Sequence, residues 1–188
     1  MKYLMLPLFL LAGLPAFAAE SLSIVPRHSA VVFHWNHFGY SNPVARFEKI
    51  EGTLMLDDKD VTKSSVNVKL ALDGIRTGVE ALDKHLKTAD FLDAANHPEI
   101  TFTSTGIVKG AMDTLKVAGN LVVRGVSKPV VLNAKINKIS TDPLSKSVKA
   151  GFDAEVMLRR SDFGVDKFVP SVSDELFVRI TVEAGTKE

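Results

Sequence analysis

Five histidines could act as metal ligands or general bases: His28, His34, His37, His85 and His97. His34 and His37 are three residues apart on a predicted strand, so their side chains point to opposite faces. His28 and His34 share a face but are separated by about 20 Å at the rise of a strand, too far for one ion. The chain has no H-x-H pair, no H-E-x-x-H motif and no cysteine, so it predicts no metal site and no cofactor.

The residues suited to nucleophilic or acid–base catalysis do not form a set either. Ser29 directly follows His28, and neighbouring side chains on a strand point away from each other. The G-x-S-x-G elbow and the glycine patterns of nucleotide sites are absent. Asp83, Asp90 and Asp93 could supply an acid–base pair, but aspartate is frequent at helix caps and turns. The sequence therefore favours a protein that is not an enzyme.

Alternating apolar and polar residues run through most of the chain and predict β-strands. Turn signals at 57–60, 110, 141–143 and 162–164 separate them, with few crossover helices. The predicted strands are Leu22–Val25, Ser29–Asn36, Arg46–Leu56, Ser64–Asp73, Glu99–Gly106, Thr114–Arg124, Pro129–Lys138, Ser147–Leu158 and Glu175–Ala184. This spacing predicts an all-β protein, an antiparallel barrel or sandwich with meander pairing.

One segment departs from the two-residue rhythm. Its apolar residues recur at helical spacing: Val79, Leu82, Leu86 and Ala89. Thr77 followed by Glu80 has the pattern of a capping box, so a short helix is predicted over 78–88. A single amphipathic helix among strands suits either a lid on a barrel mouth or a cover for a sheet edge, and the sequence leaves both open.

The first residues have the pattern of a signal peptide. Lys2 is followed by an apolar stretch over 4–14, which is too short to cross a bilayer as a helix, and by the A-x-A site Ala16-Phe17-Ala18. We expect cleavage after Ala18 and one mature domain over 19–188. A signal peptide by itself does not distinguish a periplasmic location from secretion.

The composition narrows the class further. With 188 residues, 46% of them hydrophobic and 24% charged, the chain can bury a core and lacks the signature of disorder. Lys and Arg number 23 against 22 Asp and Glu, without a basic block, which argues against a nucleic-acid partner. The mature chain has no second long apolar run, so no transmembrane segment is predicted, and without cysteine it has no disulfide.

Aromatic residues are the strongest candidates for a binding pocket. Phenylalanine occurs 11 times, against one Trp and two Tyr. Phe33, Trp35, Phe102 and Phe152 occupy predicted inward positions, whereas other aromatic residues lie near strand ends, bends or the helix: Phe47, Phe91, Phe163 and Phe168. Such residues line apolar pockets but also fill solid cores, and an eight-stranded barrel accommodates either arrangement.

Four blocks of sequence are distinctive as motifs. They are His28-Ser29 with Phe33, His37 and Gly39-Tyr40-Ser41; the run 83–92 followed by His97-Pro98 and Phe102-Thr103-Ser104; Gly119-Asn120-Leu121 with the run 125–130; and 160–164, Arg-Ser-Asp-Phe-Gly. Together they resemble the YceI-like family, also described as polyisoprenoid-binding proteins. The resemblance covers essentially all of the mature chain.

The resemblance implies an antiparallel, lipocalin-like β-barrel of about eight strands with one short α-helix, exported to the periplasm. It also implies an elongated apolar pocket that holds a long-chain isoprenoid, a quinone or a related amphiphilic lipid, for transport or sequestration. With the inward aromatic residues added, the candidate ligand-binding residues are Phe33, Trp35, His37, Phe47, His85, Leu86, Phe91, Phe102, Phe152 and Phe163. His37, Arg124 and Arg160 are candidates for contact with a polar head group.

Two further interpretations stay open. A solidly packed barrel would suit a stress-protective interaction protein without a ligand. A cluster of histidine and acid side chains at the mouth of a pocket would suit an enzyme that acts on a lipid or a quinone. Exposed strand edges would also permit a homodimer.

Overall fold

The computed structural model describes residues 19–186, so the predicted signal peptide, 1–18, lies outside the described residues. Within that range the chain forms strands and one short α-helix. Their bounds are β1 Glu20–Ile24, β2 Ala30–His34, β3 Val44–Phe47, β4 Ile50–Leu56, β5 Ser65–Ala71, β6 Ile75–Arg76, α1 Glu80–Leu86, β7 Glu99–Lys109, β8 Thr114–Val123, β9 Val126–Thr141, β10 Val148–Arg159 and β11 Glu175–Gly185.

The β-segments form eight barrel strands, and each barrel strand pairs antiparallel with its neighbours in sequence. β1 and β2 are two segments of the first barrel strand, β3 and β4 of the second, and β5 and β6 of the third. The remaining five are continuous, from β7 to β11. β11 returns to the first strand, pairing Ala184 with Ile24 and Val178 with Phe33. The expected barrel of about eight meander strands is confirmed.

The interruption between β1 and β2 was expected, because Leu22–Val25 and Ser29–Asn36 were predicted as separate strands, whereas the other two interruptions were not. A continuous strand was expected over Arg46–Leu56, but the chain bends at Glu48, whose N–H donates to Gly74 O at 2.9 Å. Gly74 ends a 3-10 turn, and a Cβ there would lie 2.9 Å from Lys49 N. Because this contact joins residues that are distant in sequence, the local apolar pattern does not predict the bend.

The connections give the barrel two different ends. One end, here called the mouth, carries the loop 35–43, the segment 77–98 with α1, the turn at 124–125 and the loop 160–174. The opposite end, the base, carries the turns 57–64, 110–113 and 142–147. The base is packed by a cluster of small and branched apolar side chains: Leu22, Leu54, Leu56, Ala150 and Ala184. The long connections therefore lie at the mouth, whereas apolar packing fills the base.

The helix is present but is shorter and differently capped than the sequence suggested. The predicted capping box between Thr77 and Glu80 is wrong, because the helix begins only after Val79. Asp83 Oδ1 instead accepts from the Thr77 backbone N–H at 2.7 Å and from its hydroxyl at 2.6 Å. Glu80 pairs with Lys84 on the outer surface. Within the part of the chain that the structure describes, no helix is long and apolar enough to cross a membrane.

Candidate functional site

An elongated cavity of about 390 Å³ occupies the interior of the barrel, the lumen. Alternate residues of β10 and β11 line it in register, with Val156 opposite Val178 and Phe152 opposite Val182. From Phe152 to Leu158 the wall extends about 20 Å along the strand at ~3.3 Å per residue. Ligand pockets commonly measure about 300–1,000 Å³, so this cavity has the size of a binding site.

All ten candidate ligand-binding residues lie on the wall of this cavity. Phe33 touches two of them, with its ring centroid 5.8 Å from those of Trp35 and Phe47. The wall residues among the candidates are Phe33, Trp35, His37, Phe47, His85, Leu86, Phe91, Phe102, Phe152 and Phe163. Their contact with a ligand stays a prediction. Leu82, His85 and Leu86 bring α1 into the same wall.

Aliphatic side chains form much of the wall, and the candidate list omitted them. They stand at alternate positions of the long strands: Val117, Leu121, Val123, Leu132, Val156, Leu158, Leu176, Val178 and Ile180. The alternation of apolar and polar residues along the strands does predict that these positions face inward. Gly119 was not singled out as functional, although the ring of Phe102 lies where its Cβ would be.

Polar side chains are rare along the wall. Besides Trp35, four of the lining residues within 19–186 carry polar groups: His37, Ser64, His85 and Arg160. Ser64 lies at the base, where its hydroxyl accepts from Asp57 N at 3.0 Å. His37 and His85 lie at the mouth, and in the described chain neither imidazole has a hydrogen-bond partner; each contacts an aromatic ring, that of Phe38 or Phe91. Among the described lining residues, the polar side chains that remain available to hydrogen-bond a ligand therefore lie at the mouth.

Arg160 is buried at the mouth and holds the loop 160–174 together. Its guanidinium donates from Nε to Ser173 O at 2.8 Å and from Nη2 to Val172 O at 2.8 Å. Nη1 donates to Val165 O at 2.8 Å and to Lys167 O at 3.0 Å. Burial lowers the pKa of Arg160 from its usual high value. Because it binds four carbonyls, the structure gives Arg160 a role in shaping the loop.

Arg124 and the acids around α1 also have structural partners. Arg124 Nη1 donates to Gly164 O at 2.6 Å. Asp83 caps Thr77, and Asp93 accepts from Asn96 Nδ2 at 3.0 Å. Within residues 19–186 no group of three His, Asp or Glu side chains is placed to hold a metal ion. The acids around α1 thus serve as caps and surface partners, which was the alternative that the sequence favoured.

An ion pair and contacts between tilted aromatic rings connect the two sides of the mouth. Lys167, on the loop 160–174, donates to Asp90, just beyond α1. The rings of Phe91 and Phe168 lie beside this pair, with centroids 6.4 Å apart, and His85 packs 4.7 Å from Phe91. The lysine lowers the pKa of Asp90 by hydrogen bonding and by its charge. The helix segment and the loop are therefore joined across the opening.

Comparison with known proteins identifies the family. Residues 22–184 match the family model described as the YceI-like domain. The chain belongs to the YceI-like family. Protein YceI of Salmonella arizonae is 37% identical over 157 residues, which is 84% of this chain and 81% of that protein.

Solved structures support the same YceI-like fold. BcnA of Burkholderia cenocepacia superposes with a TM-score of 0.77 at 18% identity, over 85% of this chain and 98% of that one. A polyisoprenoid binding domain from Saccharophagus degradans, implicated in plant cell wall breakdown, gives a TM-score of 0.71 at 11% identity. That match covers 88% of this chain and 98% of the other. At these identities, the two structures establish the barrel architecture alone.

Proposed function

We propose that this YceI-like protein binds a long-chain isoprenoid, a quinone or a related amphiphilic lipid in its lumen, as a carrier or to sequester it. The observation that carries the proposal is the distribution of polarity along the cavity. Its wall is almost entirely apolar, and His37 and His85, whose imidazoles have no hydrogen-bond partner within residues 19–186, lie at the mouth. An amphiphile fits this gradient with its tail toward the base and its head group beside the two imidazoles.

Burial of the tail supplies the affinity in this proposal. Each methylene moved from water into an apolar site contributes about 0.8 kcal/mol. A chain of isoprene units offers many such groups and needs few polar contacts. The family relationship and the polyisoprenoid-binding neighbour support this ligand class. The proposal also includes binding without a chemical step. The acids near the mouth, Asp83, Asp90 and Asp93, are already hydrogen-bonded to other side chains, namely Thr77, Lys167 and Asn96.

Export belongs to the same proposal. We infer that 1–18 is a signal peptide and that the mature domain, 19–188, works in the periplasm, between membranes that contain such lipids. Expression of the full chain in a Gram-negative host, followed by release of the periplasmic contents and measurement of the intact mass, tests this step. A released protein that begins at Ala19 supports it, and a protein that keeps 1–18 contradicts it.

The binding step is tested with the purified protein and two defined probes. N-phenyl-1-naphthylamine fluoresces when it enters an apolar site, and the long polyprenol solanesol should displace it. Val156→Phe places a large ring in the lumen, whereas Met157→Phe adds one on the outer face of the same strand. We expect the first variant to lose probe binding and the second to keep it, with similar thermal unfolding of both. Equal binding by both variants would contradict a luminal site.

Native mass spectrometry provides an independent measurement. A co-purifying lipid that is released by organic extraction supports the carrier role. Bare protein that takes up neither probe would favour the stress-protective interaction protein, and turnover of a bound quinone would favour the enzyme. The same spectra report whether the protein is a homodimer, which is still a proposal.

A further inference from the structure

Exposed aromatic residues lie on two neighbouring loops at the mouth of the barrel. Phe38 and Tyr40 lie at the tip of the loop 35–43 and are 51% and 91% exposed. Phe168 and Val169 lie on the loop 160–174, and Phe168 is 50% exposed. We call these four residues the rim patch. Large apolar side chains that are exposed as a contiguous group are typical of a site of interaction, whereas single exposed ones are not.

The backbone under the rim patch is held in a conformation that large side chains avoid. Phe38 has φ of 53° and Phe168 has φ of 66°, in the left-handed region where glycine and asparagine are usual. Such residues persist where the surrounding structure fixes them, and they cluster at functional sites. Here Phe38 N donates to Ser171 O at 2.8 Å, which joins the two loops of the patch. This hydrogen bond therefore fixes the two loops that carry the aromatic rings relative to each other.

The rim patch is continuous with the apolar lumen. Phe168 belongs to both surfaces, since it is half exposed and also lines the cavity. Its ring contacts Phe91, which is buried in the cavity wall. An apolar molecule that enters the lumen can therefore pass from the outer rim to the interior along aromatic side chains.

The charge around the patch indicates how it would hold a partner. The loops 35–43 and 160–174 contain the cations Arg160 and Lys167, and both are engaged within the fold. The same loops contain the anions Asp162, Asp166 and Asp174. A partner bound here is attracted by apolar contact, since the loops carry no free basic cluster for an acidic surface.

From these observations we infer that the rim patch docks the mouth of the barrel on the surface of a lipid bilayer. Phe38 and Tyr40 insert at the level of the head groups, where aromatic side chains are favoured. This inference rests on the proposed function: a lipid tail that crossed water on its way to the lumen would expose its methylenes, which raises the barrier to transfer. Docking lets the tail move from the bilayer to the lumen without that exposure.

Sedimentation with vesicles tests the inference. The full mature protein is mixed with vesicles of phosphatidylcholine, and separately with vesicles of phosphatidylcholine and phosphatidylglycerol. The test variant is Phe38→Asn with Tyr40→Ser, which removes both rings at residues outside the cavity wall. The matched control is Met112→Asn with Leu144→Ser, which removes two exposed apolar residues at the base; Met112 also has a positive φ, of 50°.

We expect the wild type and the base control to bind both kinds of vesicle, with little change on adding salt. The rim variant should bind vesicles at least about tenfold more weakly than the wild type. Its uptake of N-phenyl-1-naphthylamine from solution should be unchanged. Docking is overturned if the wild type takes up the probe but binds no vesicle, or if both variants lose binding equally. A wild type that takes up no probe instead overturns the proposed function. Light scattering that gives a dimer for the wild type and a monomer for the rim variant assigns the patch to self-association and also overturns docking.

Discussion

The ring of Phe102 on β7 lies against Gly119 on β8, where a Cβ would be 2.4 Å from Phe102 Cζ. The same Cβ would lie 2.6 Å from Thr103 O, so rotation of the ring does not relieve the overlap. Gly119→Ala should therefore lower the free energy of unfolding by about 1–3 kcal/mol. Urea unfolding measures this, with Gly106→Ala as the control, since a Cβ on Gly106 would meet nothing within 4 Å.

A double-mutant cycle tests whether this loss comes from the ring. Phe102→Ala alone removes a buried aromatic side chain and should cost about 3–5 kcal/mol. With the ring absent, Gly119→Ala should cost at least about 0.5 kcal/mol less than it does in the wild type. Strict additivity of the two substitutions would show that the ring and the glycine are not coupled.

Arg160 is expected to determine the order of the loop 160–174. Arg160→Met keeps much of the buried stem but removes the donors to four backbone carbonyls, and should cost about 3 kcal/mol or more in unfolding free energy. Hydrogen exchange should become faster at the amides of 165–173. Arg159→Met, at the exposed neighbouring position, is the control. Unchanged exchange in the Arg160 variant would contradict a bracing role.

The sequence predicted the elements of the barrel well because each strand depends on local alternation. The long strands β8, β10 and β11 follow the rhythm closely, and their inward residues form the cavity wall. The break after Phe47, inside the predicted strand Arg46–Leu56, was not predicted. This break depends on the hydrogen bond from Glu48 N to Gly74 O, which joins residues far apart in the chain.

The site was predictable in composition but not in shape. Aromatic residues such as Phe33 and Phe152 fit both a solid core and a hollow one, and the difference depends on how all strands pack together. The role of Arg160 depends on four carbonyls that only the folded loop brings to one point. Gly119 is a similar case, since its importance depends on a ring from the neighbouring strand.

The ion pair between Asp90 and Lys167 should slow release of a bound molecule, because it joins two segments of the mouth. Lys167→Gln should release N-phenyl-1-naphthylamine faster in stopped-flow measurements, by less than about tenfold, since exposed ion pairs are weak. Salt should reduce the difference from the wild type. Lys84→Gln is the control, because Lys84 pairs with Glu80 within α1. Equal release by both variants would contradict this role.

Asp83 should make the stability of the helix segment depend on pH. The hydroxyl and N–H of Thr77 donate to its carboxylate and hold its pKa below the ordinary value of 3.8. Because the folded pKa is lower than the unfolded one, Asp83 stabilises the fold above the unfolded value. That contribution is lost as the pH falls through the folded value.

Asp83→Asn keeps an acceptor oxygen but removes the charge. Near neutral pH we expect it to lower the free energy of unfolding by about 1 kcal/mol, and the difference from the wild type should shrink as the pH falls below 3.8. Urea unfolding at several pH values measures both. In a Thr77→Val background, which lacks the hydroxyl donor, the same substitution should have a smaller effect that varies less with pH. A difference between Asp83→Asn and the wild type that stayed constant from neutral to acid pH would exclude the carboxylate as its source.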